Sequence, residues 1–390
     1  MLVKRKLVTH LQKMLKKFKV VSVTGPRQSG KTTMLKAAFP HYKYYNLERI
    51  DYRAMLLSDI MGFLNSVGPY IIFDEAQNVP ELFSYIQVKV DESNITGQYI
   101  LSGSQSFLLQ NNIAQSLAGR VSINHLFPFA INEFKLLQTK KMNTLILNGF
   151  YPGIYDKKIA SHDFYPSYLQ TYIERDIRTL KAIENLAAFT RFLGLCAGRV
   201  GQILNITSLA NDAGIAVNTA KAWLSLLEAS FVIYLLQPYY NNFNKRLIKA
   251  PKLYFYDCGV VASLLKINSI EMIRNHYAYG SLFENLIISE IIKRQFHSGK
   301  KPSVYYWRES NGTEIDCIIQ QKPNKILALE IKAGETFNTD YIKNLKKLPE
   351  NSHNTAIKKM VVFAGDTTIK IDNINIISWP DFSNTLSELF

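Results

Sequence analysis

Cysteine is scarce in this sequence of 390 residues, and a long apolar run is missing altogether. Cys196, Cys258 and Cys317 lie far apart without any C-x-x-C pair, which argues against a disulfide framework and predicts a reduced, cytoplasmic protein. No stretch of eighteen uncharged apolar residues occurs, so we expect no transmembrane segment. The basic first twenty residues also lack the apolar core of a secretory signal.

Acidic residues are missing from the beginning of the chain. No Asp or Glu precedes Glu48, whereas eleven Lys and Arg do, and these account for most of the net charge of +15. This balance favours a polyanionic partner such as nucleic acid. Leu7, Leu11, Leu15 and Phe18 repeat at near-helical spacing, which predicts an amphipathic helix that either packs on the following domain or lies on a membrane surface.

Short β-rich runs alternate with helical stretches in the first third of the chain, at 20–24, 42–47, 70–74, 99–102 and 121–126. This alternation predicts an α/β fold with a parallel sheet and helices on both faces. Residues 165–236 are typical of helices, and strand signals return after about residue 253. We therefore predict three domains, at 1–160, 161–250 and 251–390.

A phosphate-loop pattern, G-x-x-x-x-G-K-[ST], begins at Gly25 and follows the first predicted strand. Its two glycines allow backbone N–H groups to face phosphate oxygens at a helix N-terminus. Lys31 is expected to reach the β- and γ-phosphates, and Thr32 to ligate Mg²⁺. The alternative is a Gly-rich turn that holds no nucleotide. The residues predicted to contact ATP are Gly25, Pro26, Arg27, Gln28, Ser29, Gly30, Lys31, Thr32, Thr33 and Asp74.

An apolar strand that ends in Asp74-Glu75 completes a nucleotide-hydrolysing pattern. Asp74 is expected to hold Mg²⁺ through water, and Glu75 to polarise the attacking water as a general base. Ser104 or Gln105, after the next strand, is the candidate sensor of the γ-phosphate, although Ser-Gly-Ser is equally typical of a loop. Arg120 is the candidate for stabilising transition-state charge, within one chain or across an interface, with an exposed structural arginine as the alternative.

These motifs together resemble the prokaryotic AAA-type ATPases that carry a DUF4143 C-terminal region. The resemblance covers nearly the whole chain and implies a nucleotide-hydrolysing core, a winged-helix segment and a nuclease-like domain. Gly153 is a departure, because the family usually has Glu at that position. The runs that carry the resemblance lie at 23–33, 73–77, 101–104, 117–121, 127–129, 149–152 and 168–177.

The middle of the chain, 204–227, has the pattern helix, Gly-containing turn, helix, which is typical of helix-turn-helix DNA binders. The candidate recognition helix, 218–227, offers Asn218, Thr219 and Lys221 but no arginine, so a packing role is the alternative. Residues 226–236 and 241–245 are expected to form the wing. The basic residues predicted to grip DNA phosphates beside this wing are Lys245, Arg246, Lys249 and Lys252.

Asp316, Glu330 and Lys332 belong to two predicted strands near the C-terminus, and the last two share one face of their strand. If the strands are neighbours, the three side chains converge in the pattern of PD-(D/E)xK nucleases. Glu284, on an upstream helix, matches the acidic helix of that superfamily. Glu284, Asp316 and Glu330 are then the expected Mg²⁺ ligands, and Lys332 the residue that orients the hydrolytic water. A non-catalytic binding platform is the alternative.

The sequence therefore predicts a Mg²⁺-dependent ATPase coupled to DNA binding, with nuclease activity in the last domain left open. The alternative is a nucleotide-switched interaction protein, in which ATP controls conformation or assembly and the nuclease-like domain only binds. Association with further copies of the chain is compatible with either hypothesis.

Overall fold

The computed structural model describes residues 2–104, 109, 113, 115–173, 185–239, 250–309, 312–352 and 355–389. The chain divides into two compact units. The first unit comprises residues 1–129 with 229–231 and 296–300, and the second comprises the remainder. The division after Phe129 falls inside the predicted first domain, 1–160.

The division falls before residue 160 because the Gly149-Phe-Tyr-Pro run is hydrogen-bonded to residues of the second unit. The buried carboxylate of Asp257 accepts hydrogen bonds from the Phe150 N–H at 2.7 Å and from the Tyr165 hydroxyl at 2.7 Å. Gly149 has φ 58°, and a Cβ there would lie 1.9 Å from the Tyr165 hydroxyl oxygen. Residues 130–160 therefore fold with the second unit, and only the segment before them joins the first.

The first unit contains a fully parallel sheet in the order β2-β3-β4-β1-β5. Its central strands, β1 and β4, are buried at every position, as expected for apolar runs covered on both faces. The predicted parallel sheet is thus confirmed, with each strand within two residues of its predicted ends. The strands are β1 (Val20–Thr24), β2 (Lys43–Asn46), β3 (Ile71–Asp74), β4 (Tyr99–Gly103) and β5 (Val121–His125).

The helices of the first unit cover both faces of this sheet. Leu7 and Leu11 of the first helix are fully buried and pack in one apolar cluster with Val21 and Val23. The apolar stripe at the beginning of the chain therefore packs on the following domain, and these two leucines are not available to a membrane surface. The helices are α1 (Leu7–Leu15), α2 (Lys31–Ala38), α3 (Ile50–Ser58), α4 (Ile60–Val67) and α5 (Glu81–Asp91), with a 3₁₀ turn at Ala76–Asn78.

The second unit begins with short helices and continues with three longer ones, followed by an antiparallel strand pair. Gly214, with φ 68° and ψ 40°, ends the second of the longer helices and permits the predicted turn. The strand pair consists of β6 (Ile233–Leu236) and β7 (Lys252–Phe255). The predicted wing residues 241–245, with Arg246 and Lys249, lie outside the described residues, as does Gln105. The helices are Lys135–Gln138, Met142–Asn148, Pro152–Asp156, Ser161–Tyr168, Leu186–Ala197, Ile206–Ala213 and Val217–Ala229, with a 3₁₀ turn at Ile131–Glu133 and a π-helical turn at Leu169–Ile173.

A mixed sheet forms the C-terminal part of the second unit, in the order β13-β14-β12-β10-β9-β8, with β11 paired to β12. The predicted return of strands after about residue 253 is confirmed by this sheet. The strands are β8 (Val304–Arg308), β9 (Glu314–Lys322), β10 (Lys325–Lys332), β11 (Asn351–Ser352), β12 (Thr355–Phe363), β13 (Ile369–Ile371) and β14 (Ile374–Ser378). The helices are Cys258–Leu264, Ile270–Asn275, Tyr279–His297, Lys343–Lys347 and Trp379–Leu389, with a 3₁₀ turn at Thr339–Ile342.

Candidate functional site

The phosphate loop leaves the carboxyl end of β1 and leads into α2. Gly25 has φ 153°, and a Cβ there would lie 2.0 Å from the carbonyl oxygen of Leu126, so only glycine fits. Gly30 is left-handed, with φ 93° and ψ 21°, and precedes the first turn of α2. The Lys31 ammonium donates to the carbonyl oxygens of Gly25 and Pro26 at 2.9 and 3.0 Å. The loop therefore curls around the ammonium group of its own lysine.

The other predicted loop contacts lie at different depths. Ser29 is fully buried, whereas Gln28 and Thr33 are exposed. The Arg27 guanidinium pairs with Glu48 at 3.0 Å, near the end of β2. Arg27 is thus held toward a neighbouring segment of the same sheet edge.

A buried arginine that the sequence analysis missed anchors this loop. Arg5, only 4% exposed, donates to the carbonyl oxygen of Ser29 at 2.9 Å and to that of Phe127 at 2.6 Å. The guanidinium also lies 4.9 Å from the centre of the Phe129 ring. Arg5 therefore ties the loop to the Phe127-Pro-Phe segment, although its sequence neighbours suggested only a surface cation.

Asp74 ends β3 beside the loop and is surrounded by hydroxyl groups. Its carboxylate accepts from the Thr32 hydroxyl at 2.5 Å, from the Tyr44 hydroxyl at 2.7 Å and from the Ser102 hydroxyl. Burial and the hydrogen bond to Asp74 raise the pKa of Tyr44 far above its ordinary value. Thr32 and Asp74 therefore meet as predicted, and Tyr44 and Ser102 are additional partners that come from β2 and β4.

This group of oxygen atoms fits Mg²⁺, which prefers hard oxygen ligands and retains several of its waters. Asp74 is 2% exposed, and the hydrogen bonds that hold it come from neutral hydroxyl donors. Thr32 and Asp74 are the residues of this chain that would hold the ion.

Glu75 adopts a left-handed backbone conformation, φ 53° and ψ 45°, which is uncommon for a residue with a Cβ. Its carboxylate accepts from the Ser104 N–H at 3.1 Å, from the Ser104 hydroxyl at 3.0 Å and from the Gln77 amide at 2.6 Å. Strained backbone of this kind is concentrated at functional sites. Ser104, the candidate sensor, therefore contacts the candidate general base, and Gln77 is a partner that the sequence analysis missed.

Arg120 lies far from this group within its own chain. It immediately precedes β5, and its carbonyl oxygen accepts from the N–H of Val20 at the amino end of β1, whereas the phosphate loop leaves the carboxyl end. Its guanidinium is paired with Asp91 through two contacts, at 2.6 and 2.8 Å. A role at the phosphate loop of the same chain is therefore wrong, because the length of a strand separates the two. Action across an interface between copies stays a prediction.

In the second unit, the predicted Asp316, Glu330 and Lys332 do converge. The Lys332 ammonium lies 3.1 Å from the Asp316 carboxylate and 2.6 Å from the Glu330 carboxylate. The convergence follows from the antiparallel pairing of β9 with β10, in which Cys317 lies opposite Leu329. The predicted neighbouring strands are therefore correct, and the lysine occupies the space between the two carboxylates.

Lys252, predicted to grip DNA phosphates, is instead a buried member of this cluster. It is 3% exposed, and its ammonium lies 3.2 Å from Glu284 and 2.5 Å from Glu314. The Tyr254 hydroxyl donates to Glu284 as well. The phosphate-contacting role of Lys252 is therefore wrong, because β7 turns its side chain inward. The sequence signal that could have indicated this burial is the position of Lys252 at the start of an apolar strand, Lys252–Phe255, which is buried at every residue.

Two ammonium groups, each shared by two carboxylates, compensate part of the negative charge in this lysine–carboxylate cluster (Lys252, Glu284, Glu314, Asp316, Glu330 and Lys332). Burial and the charge of Asp316 raise the pKa of Glu330 to about 9. Burial alone would raise the pKa of Asp316 too, but Lys332 and Lys252 hold it below its ordinary value. Burial raises the pKa of Glu284 to about 7, against the opposing effect of Lys252.

This cluster, as it stands, does not fit a metal ion. Within the described ranges, no group of three or more His, Cys, Asp or Glu side chains is arranged to hold one. The physical reason is that ammonium groups already lie between the carboxylates. The Mg²⁺-ligand role predicted for Glu284, Asp316 and Glu330 therefore gains no support from the geometry.

Three family models match successive parts of the chain. Residues 17–135 match an AAA domain, residues 139–271 match a domain of unknown function, DUF8612, and residues 279–382 match another, DUF4143. The chain is thus similar to AAA domains over its first third and to DUF4143 over its last third, in agreement with the resemblance of its motifs. The matched boundary near residue 135 also lies close to the division after Phe129.

Curated relatives resemble most of the chain. An uncharacterized protein of Mycobacterium tuberculosis is 28% identical over 338 residues, which cover 85% of this chain and 74% of that protein. An uncharacterized protein of Methanocaldococcus jannaschii is 24% identical over 395 residues, which cover 92% of this chain and 81% of that protein. Among solved structures, a Walker-type ATPase of Pyrococcus abyssi covers 66% of this chain and 94% of its own, at 15% identity and a TM-score of 0.47.

No helix in the described part of the chain is both long enough and apolar enough to cross a membrane.

Proposed function

We propose that the first unit hydrolyses ATP with Mg²⁺ and that this activity is coupled to DNA binding. The observation that carries the hydrolysis is the meeting of two pairs at one sheet edge. Thr32 with Asp74 forms one pair, and Glu75 with Ser104 forms the other. Both lie where the carboxyl ends of parallel strands face a helix N-terminus, the usual place of a bound phosphate.

Each residue then has a distinct task. Lys31 and the loop N–H groups neutralise phosphate charge, and the bound Mg²⁺ supplies further charge neutralisation at the phosphates. Glu75 accepts a proton from the attacking water, and Ser104 and Gln77 orient its carboxylate through three hydrogen bonds. Arg5 positions the loop by holding the Ser29 carbonyl.

Coupling to DNA is supported by charge and by the helices of the second unit. The net charge is +15, and on the helix Val217–Ala229 the side chains of Asn218 and Lys221 are exposed. This helix is the second of the predicted helix-turn-helix, after Ile206–Ala213. Exposed amide and ammonium groups on the second helix of a helix-turn-helix are suited to contacts with a DNA groove and with phosphates.

The test is ATP turnover by the full chain with and without duplex DNA, over a salt series. We expect turnover in Mg²⁺, stimulation by DNA that fades as salt rises, and a loss of roughly 10²- to 10⁴-fold in Glu75→Gln. Glu81→Gln, an exposed glutamate on α5, is the matched control and should keep the wild-type rate. Turnover that survives Glu75→Gln would refute the assigned base, and turnover indifferent to DNA would refute the coupling.

A second candidate function concerns the lysine–carboxylate cluster of the second unit. Because the ammonium groups of Lys332 and Lys252 already lie against its carboxylates, we propose that this region serves as a non-catalytic binding platform. The test is cleavage of plasmid and branched DNA in Mg²⁺ or Mn²⁺. We expect no cleavage beyond that of Lys332→Ala. Cleavage by the wild type that disappears in Lys332→Ala would instead establish a nuclease.

A further inference from the structure

A basic groove of about 400 Å³ lies on the C-terminal sheet of the second unit, away from the lysine–carboxylate cluster. Four lysines line it: Lys325 on β10, Lys358 and Lys359 on β12, and Lys370 on β13. The Lys359 ammonium donates to the carbonyl oxygen of Leu348 at 2.5 Å, so the other three carry the argument. The cluster residues Glu330 and Lys332 lie at the other end of β10, roughly 20 Å from Lys325 at the usual rise per residue. We call this surface the lysine groove.

The sheet topology places these lysines on both sides of the groove. Lys325 is opposite Ala356 in the pairing of β10 with β12, and Lys358 is two residues further along the same strand, hence on the same face as Ala356. Lys370 is opposite Asn375 in the hairpin of β13 with β14. β10 and β13 are three strand spacings apart, roughly 14 Å, and the register sets Lys370 four residues, roughly 13 Å, further along the strands than Lys325. The outer lysines are therefore roughly 19 Å from each other.

The positive charge of the lysine groove is not used within the chain. In the described part of the structure, the Lys325, Lys358 and Lys370 ammonium groups make no hydrogen bond or ion pair. Lys358 and Lys370 are exposed. The one acid in the lining, Glu350, accepts a hydrogen bond from the Asn373 amide at 3.2 Å. Its charge acts on the Lys359 ammonium, whose pKa it tends to raise. Three uncompensated cations therefore face one concave surface.

We infer that the lysine groove binds the phosphate backbone of duplex nucleic acid. This inference deepens the proposed coupling to DNA and rests on it. Three lysines with two asparagine amides, Asn373 and Asn375, are the donors that phosphate oxygens accept. No aromatic side chain contributes to the described lining, so the groove lacks the stacking platform on which single strands are held. Its concave shape also disfavours a flat membrane surface.

The experiment compares two triple variants of the full chain. The groove variant is Lys325→Gln with Lys358→Gln and Lys370→Gln. The matched control is Lys157→Gln with Lys158→Gln and Lys266→Gln, which removes the same charge from exposed lysines of the same unit. The probe is a fluorescent 20-base-pair DNA duplex, with a single strand of equal length and phosphatidylserine vesicles as further arms. Basal ATP turnover is measured on every protein.

For the groove variant we expect a loss of duplex affinity of roughly tenfold or more at 0.1 M salt, and a salt slope shallower by about 2 to 3, as three phosphate contacts predict. The control should bind as the wild type does. Equal binding by the groove variant, an equal loss in the control, or binding of vesicles but not of duplex would each overturn the inference. Basal turnover separates the two proposals, because its absence contradicts the ATPase function and leaves the groove result standing.

Discussion

The two units each hold carboxylates in a buried or partly buried group of polar side chains, but they hold them in different ways. In the first unit, hydroxyl groups of Thr32, Tyr44 and Ser102 hold Asp74. In the second unit, the ammonium groups of Lys332 and Lys252 hold the carboxylates. A carboxylate that neutral hydroxyl groups hold can still pair with an incoming cation, whereas one beside an ammonium already has a cationic partner. Acidic residues in a suitable sequence pattern therefore do not by themselves make a metal site.

The strongest way to break this contrast is to remove a compensating lysine. Lys252→Met leaves the largely buried Glu284 without its cation, whereas Glu314 keeps its ion pair with Arg308 at 3.0 Å. We expect the second unit to lose roughly 3–5 kcal/mol of stability. The exposed Lys266→Met is the control and should change stability by less than about 0.5 kcal/mol. Calorimetric unfolding of both variants provides the measurement.

A double variant sharpens the same test. Adding Glu284→Gln to Lys252→Met removes the charge that was left unpaired, so the double variant should be more stable than the two separate losses predict. Simple addition of the two losses would mean that Lys252 stabilises the unit through packing alone, contrary to the charge compensation inferred for this cluster.

Acid distinguishes the units through His125, which lies at the end of β5 with its Nδ1 2.7 Å from the Thr24 hydroxyl. Burial lowers the pKa of His125 from 6.5 to about 4. Between these values the unfolded chain binds a proton that the folded chain does not, so stability falls as pH drops from 6.5 toward 4. The loss from this residue is at most about 3 kcal/mol.

The measurement for His125 is urea unfolding at pH 7 and pH 5, for the wild type and for His125→Asn. We expect a larger acid-induced loss in the wild type, confined to the transition of the first unit. An equal loss in both proteins would show that His125 does not titrate in this way.

The smallest expected effect concerns the support of Glu75. Ser104→Ala removes one of three hydrogen bonds on the carboxylate and leaves the backbone N–H in place, so turnover should fall only about five- to tenfold. Nucleotide affinity should not change, because Ser104 contacts the Glu75 carboxylate and not the nucleotide. A large rise in KM for ATP with an unchanged kcat would instead place Ser104 on the nucleotide, in the sensor role.

The sequence was sufficient for the elements and motifs whose signals are local. Apolar runs bounded by turns predicted the strands of the parallel sheet, since a strand buried on both faces leaves that pattern. The meeting of Thr32 with Asp74 was also predictable, because the carboxyl ends of adjacent parallel strands share one sheet edge. Asp316, Glu330 and Lys332 converge for a similar reason, the pairing of two strands close in sequence.

What the sequence did not predict depends on contacts between distant residues. Lys252 looked like one of a basic run, and only its pairing with Glu284 and Glu314 shows that it is buried. Arg5 contacts a carbonyl more than a hundred residues away, at Phe127. Arg120 has a motif-like sequence context, but the strand register places it at the wrong edge of the sheet.

The most direct test of the contrast between the units is to count tightly bound Mn²⁺ per chain by electron paramagnetic resonance. The Glu75→Gln background prevents turnover of the added ATP. We expect one tight Mn²⁺ that requires ATP, is lost in Thr32→Ala and is unaffected by Glu330→Gln. A tight Mn²⁺ that binds without ATP and disappears in Glu330→Gln would contradict this account. It would show that the lysine–carboxylate cluster of the second unit holds a metal ion, a role that the account gives to Asp74 of the first unit.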